Sequence, residues 1–132
     1  MLVKTFGAAL QGIDAIVITI EVAVSRGYTY SIVGLPDTAI KESNERVRSA
    51  MRESGFEFPR RTVVVNLAPA DVRKEGSAYD LPIAIGVLTA AEEITVSDID
   101  RCMMMGELSL DGSLLPIKGV LPMAIEARRA GF

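Results

Sequence analysis

The sequence predicts an α+β domain, a two-layer sandwich in which one β-sheet packs against about three helices. Three observations carry that expectation. The stretch Ile13 to Val24 alternates with period two, as a half-buried strand does. Two stretches, around Pro36 to Gly55 and Val120 to Gly131, carry helix stop signals, and the first also a start signal. Asp80 to Glu92 is apolar nearly all round, the mark of a helix buried on most sides.

The elements follow in order. Leu2 to Leu10 reads as an edge strand before Gln11-Gly12. In the second strand Ile16, Ile18, Ile20, Val22 and Val24 share one face, and their β-branched side chains suit a pleated surface. Ser25-Arg26-Gly27 gives a turn, so Tyr28 to Val33 is expected to return as the other arm of a hairpin. In GLPDTAIKESNERVRSAMRESG, Asp37 is placed to cap one helix and Gly55 to end it. Ile40, Val47 and Met51 form its apolar stripe. Glu42 and Arg46 are spaced for an i,i+4 pair on a solvated face. TVVVNL, Thr62 to Leu67, has a continuous apolar centre and reads as a central strand buried on both faces. A loop from Ala68 to Gly76 leads into the apolar helix, where Pro82 is tolerable in the first turn. Met103 to Leu110 reads as a strand, Asp111-Gly112 as a hairpin turn, and Leu114-Leu115 as the return. Val120 to Ala130 is the last helix, with Arg128 and Arg129 in its final turn and Gly131 as cap.

Composition narrows the chemistry. The chain has 132 residues, 49% of them hydrophobic, enough for one domain with a real core. No apolar run approaches the roughly 18 residues that span a bilayer, and no secretory leader is evident. The expectation is a cytoplasmic protein without a membrane partner. A single cysteine, Cys102, excludes an internal disulfide, and beside Met103-Met104-Met105 it reads as a small strand hydrophobe. The absence of histidine removes Ser-His-Asp and Cys-His chemistry and the commonest metal ligand. Neither GxxxxGK[ST] nor GxGxxG occurs. Lysine-, carboxylate- or hydroxyl-based catalysis remains open at this point, and no cofactor-binding or metal-binding residue is expected. Net charge is −3, yet from Lys41 to Lys74 eight basic residues face five acidic ones. Arg60, Arg61, Arg73 and Lys74 are the candidates for nucleic-acid contact, because basic groups hold phosphates by releasing counterions. A solvated surface or a subunit contact is the alternative.

GELSLDGSLLPIKGVLPMAIEARRAGF, from Gly106 to Phe132, resembles the end of the proteolytic domain of Lon proteases. NLAPADVRKEGSAYDLPIAIGVL resembles the strand, loop and helix that carry the Lon serine, and the RadA recombination proteins end in the same domain type. The fullest resemblance is to the ComM/YifB proteins, magnesium-chelatase-like AAA+ ATPases. Their N-terminal domain carries VGLPDTAIKESNERVRSA and VNLAPADVRKEGSAYDLPIAIG almost verbatim, at Val33 to Ala50 and Val65 to Gly86 here. The resemblance covers essentially the whole chain. It implies a mixed sheet in a Lon proteolytic-domain-like fold, of the ribosomal protein S five domain two-like type.

The Lon pattern PKDGPSAG, laid over the chain from Lys74, puts the catalytic serine position on Ala78 and the preceding proline position on Ser77. The catalytic lysine position falls on Leu121. Both members of the dyad are therefore apolar, with Ser77 and Lys118 as displaced neighbours. Ser77 or Asp80 serves as a helix-start residue on this reading. The resemblance implies that residues 1–132 form a single N-terminal domain of a longer protein, with an AAA+ ATPase domain beyond. ATP and Mg²⁺ belong to that further part, DNA is the expected partner of the full-length protein, and a hexamer is its expected assembly. The implied work is DNA processing, such as branch migration in recombination or natural transformation. The domain itself serves ring assembly or DNA contact and is not an enzyme. The alternatives are an active Ser/Lys peptidase of Lon type and a protein–protein interaction module that never touches DNA.

Overall fold

The computed structural model describes residues 1–132. Strand β1 (Leu2–Gln11) and strand β2 (Asp14–Ser25) form an antiparallel hairpin, with Leu2 opposite Ala23 and Gln11 opposite Asp14. Gly12, at φ +61°, makes the tight turn between them. Strand β3 (Tyr30–Val33) and strand β4 (Thr62–Ala68) complete a sheet of order β1-β2-β4-β3. β4 runs antiparallel to β2 and parallel to β3, so the sheet is mixed.

That order corrects the expected β2–β3 hairpin, because β4 lies between the two. β3 and β4 are instead the parallel arms of a crossover through the intervening helices, the connection that parallel neighbours require. β4 is interior, as its apolar run indicates. Its burial alternates, however: Val63, Val65 and Leu67 are buried, while Val64 and Asn66 are half-buried.

The expected first helix is two: α1 (Thr38–Lys41) and α2 (Ser43–Glu53), separated at Glu42. Helix α3 (Asp80–Ala90) follows a 3₁₀ turn at Ser77–Tyr79 and is buried on nearly every side. Gly86 lets α3 approach β2 closely, since a Cβ there would sit 2.7 Å from Val22 Cγ2. Ile18, Ile20 and Val22 of β2, with Val63, Val65 and Leu67 of β4, are covered by Ile40, Val47, Met51, Ile83 and Val87. Each such side chain contributes roughly 1.5–3 kcal/mol by leaving water. A one-residue slip would expose the whole set, which fixes the register.

The Met103–Leu110 strand is shorter than expected. Met103 only bridges to Phe6, and the ladder is confined to β5 (Glu107–Leu108) and β6 (Leu114–Leu115), joined through the Asp111-Gly112 turn. The intervening backbone is engaged elsewhere: Met104 N–H donates to Phe6 O at 2.8 Å and Gly106 N–H to Ala78 O at 2.7 Å. Cys102 is exposed rather than a strand hydrophobe. Helix α4 (Val120–Ala130) has the expected limits, and Gly131 ends it at φ +93°. Its Met123 packs with Ala8 and Ala15, which point to the opposite side of the sheet from Ile18 and Ile20. No helix is long and apolar enough to cross a membrane.

Candidate functional site

A cavity of about 750 Å³ opens where the end of β1, the Gly76–Tyr79 turn, β5 and the Pro116–Lys118 segment meet. Gly76, at φ +93°, swings the chain into the 3₁₀ turn. The turn is clipped on its far side, where Leu81 N–H donates to Gly106 O at 3.0 Å and Gly106 reaches back to Ala78. Ser77, Ala78, Glu107 and Lys118 all line the cavity. The Ser77 hydroxyl donates to Glu107 Oε1. Leu121, at the Lon lysine position, is 71% exposed on α4 and does not line the cavity. Tyr79 does line it, buried, with its hydroxyl donating to Ala8 O at 3.3 Å. Burial, and then the nearby Asp37 carboxylate, push that phenol well above its ordinary range.

The two long sequence motifs meet beside this cavity. Asp37 Oδ1 accepts from Ile40 N–H at 2.9 Å, which is the expected cap. Its Oδ2 accepts from Gly76 N–H, also at 2.9 Å, a second role the sequence did not reveal. Asp37 N–H donates to Lys74 O, and Lys74 N–H to Leu35 O, each at 3.1 Å. The carboxylate thus ties the start of α1 to the mouth of the cavity.

Asp80 is fully buried at the start of α3. It is not a helix cap. Arg46 Nε and Nη2 donate to its two oxygens at 2.7 and 3.0 Å, and Leu108 N–H donates at 3.1 Å. Arg46 also donates to Ala39 O at 2.7 Å, so it turns inward instead of pairing with Glu42 on a solvated face. Burial pushes the Asp80 carboxyl up, and the guanidinium and the Leu108 amide pull it back. The Asp80 hydrogen bond holds the Arg46 guanidinium above its usual range. One ion pair therefore locks α2, α3 and β5 together behind the cavity.

The four residues expected to contact nucleic acid are not one cluster. Arg60 and Arg61 are exposed just before β4. Arg73 is exposed elsewhere, paired with Glu75 at 3.1 Å. Lys74 departs from the expectation: its side chain is buried, donating to Gly34 O at 2.7 Å and to Pro69 O. Burial lowers its pKa, opposed by Asp71. Lys74 braces the Gly34–Asp37 loop and offers no charge to a surface ligand. Sequence reasoning also missed Glu107 and Arg46, whose partners lie about thirty residues away along the chain.

Comparison with known proteins identifies the family. The model of the ChlI subunit of Mg-chelatase matches residues 20–132. An uncharacterized protein YifB from Salmonella typhimurium is 48% identical over 124 residues, covering 93% of this chain and 24% of that relative. The competence protein ComM of Haemophilus influenzae is 40% identical over 126 residues, 95% of this chain and 25% of its own length. A Lon protease from Chloroflexus aurantiacus is 32% identical over 109 residues, 77% of this chain and 13% of the protease. The chain spans about a quarter of the length of the YifB and ComM relatives. With the Lon-like likeness standing at greater distance, the chain belongs to the family of the ChlI subunit of Mg-chelatase, among relatives that include YifB and ComM.

Proposed function

We propose that the chain is a non-catalytic domain of a larger, cytoplasmic, magnesium-chelatase-like AAA+ ATPase that processes DNA. The observation that carries this reading is the cavity at Ser77-Ala78. In the Lon-like register Ala78, which lines it, stands at the serine position, and Leu121, at the lysine position, points to solvent. A Ser-Lys dyad needs a hydroxyl in hydrogen-bond reach of a neutral amine. Here the Ser77 hydroxyl is committed to a carboxylate, which holds its proton without being the amine base of such a dyad.

The residues of this chain do not fit ATP and Mg²⁺. Helix α3 opens with the Asp80 carboxylate, whose charge disfavours phosphate at that N-terminus. On this reading nucleotide and metal belong to the further ATPase domain. Support for an assembly role comes from α4, whose Val120, Leu121 and Ile125 are 55%, 71% and 60% exposed. Apolar surface of this kind marks contact sites, in keeping with a hexameric ring or with a neighbouring domain. A second reading, a displaced peptidase, is favoured only by Ser77 and Lys118 sharing one cavity.

The division of labour is tested with purified protein. The 132-residue chain should release no phosphate from ATP, while the protein extended through an ATPase domain should do so faster with DNA present. ATP turnover by the short chain alone would overturn the proposal.

A further inference from the structure

The order β1-β2-β4-β3 has a local result at one end of the sheet. On leaving β2 at Ser25 the chain must step across the start of β4 to reach β3. Ser25 pairs with Thr62, and Val63 N–H donates to Thr29 O at 2.8 Å. Between them Gly27, at φ +128°, lies so close to Thr62 that a Cβ would overlap its hydroxyl. The crossing therefore lays Arg26 and Tyr28 beside Arg60 and Arg61. Together they line a cleft of about 650 Å³ that contains no carboxylate.

Arg26, Arg60 and Arg61 are set apart by sharing one cleft, since Arg52, Arg101 and Arg128 are likewise exposed and in no ion pair. Arg46 is held by Asp80, Arg73 by Glu75, Arg129 by Glu126, and Arg48 lies over the Phe58 ring at 3.7 Å. Arg26, Arg60 and Arg61 are exposed and in no ion pair. Tyr28 is 92% exposed. An aromatic ring that far in water contributes nothing to the core, and the three like charges beside it repel one another. Guanidinium groups match phosphate oxygens in bidentate fashion. An open aromatic face accepts a base only where that base is not already stacked and paired in a duplex.

We infer that this cleft binds single-stranded DNA, with Arg26, Arg60 and Arg61 on successive phosphates and Tyr28 stacking on a base. The inference goes beyond, and rests on, the proposal that the chain is part of an ATPase that processes DNA.

The test is fluorescence anisotropy of the 132-residue chain with a short labelled oligothymidylate and with a duplex of equal length, across a KCl series. The single strand binds more tightly. Changing Arg26, Arg60 and Arg61 together to Gln weakens binding at least tenfold at low salt. It also flattens the slope of log K against log salt by about 2, from roughly 0.7 per phosphate. Tyr28→Ala weakens binding roughly tenfold with the slope unchanged, and Tyr28→Phe restores it. Arg128→Gln with Arg129→Gln, on the helix beside Asp14 and so about 35 Å away along β2, changes neither quantity. Circular dichroism confirms that these surface variants stay folded. Tighter duplex binding, or an unchanged slope in the triple variant, would overturn the site while leaving DNA contact by another face intact. Failure of the unaltered chain to bind either DNA at the lowest salt would overturn the inference and leave the domain its assembly role.

Discussion

At the scale of single residues, Asp80 and Arg46 decide how the helices are held behind the cavity. Asp80 is wholly buried, whereas the Arg46 side chain keeps 22% exposure, so the arginine can rehydrate if its partner is lost and the aspartate cannot. Asp80→Leu alone is expected to cost about 3 kcal/mol, and Arg46→Met alone at least as much. Combining Arg46→Met with Asp80→Leu should recover most of that loss, since a packed apolar pair replaces two desolvated charges. Urea unfolding at neutral pH measures all four proteins. A double variant whose cost equals the sum of the single ones would show that the two residues do not act as a pair. Asp37 was legible in the sequence because capping is local, three residues from donor to acceptor. Asp80 was not, because Arg46 is 34 residues away and helical periodicity offered Glu42 as a nearer partner. The same limit hid the burial of Lys74, which depends on two loops meeting.

At the scale of elements, alternation and punctuation gave the limits of β2, α3 and α4 closely. They could not give the neighbours, because a period-two pattern says which face a strand buries and not what it pairs with. The pairing of β3 with β4 could have been drawn from the helix between them, since parallel strands need such a crossover. Gly34 is where that crossover leaves the sheet. It has φ +100°, and a Cβ there would overlap the Leu67 carbonyl. Gly55 also has positive φ, +88°, but faces open space. Gly34→Ala should therefore cost at least about 2 kcal/mol, combining backbone strain with overlap against β4. Gly55→Ala should cost about 1 kcal/mol from strain alone. Equal urea midpoints for the two variants would mean that the approach to Leu67 does not set the position of the loop.

At the scale of the whole molecule, the cavity is composite. Asp37 and Gly76 come from the two motifs that resemble ComM/YifB proteins, and Glu107 and Lys118 from the Lon-like C-terminal segment. The register that places Ala78 at the serine position could be taken from sequence alone. What the structure adds is that a cavity lies at Ser77-Ala78, that Leu121 stands outside it, and that Ser77 is bound to Glu107. The most direct measurement is cleavage of casein or a fluorogenic peptide by the purified chain, alongside its Ser77→Ala and Lys118→Ala variants. All three should match the buffer blank. Cleavage by the unaltered chain that disappears on Ser77→Ala would contradict the account and make this cavity a working protease site.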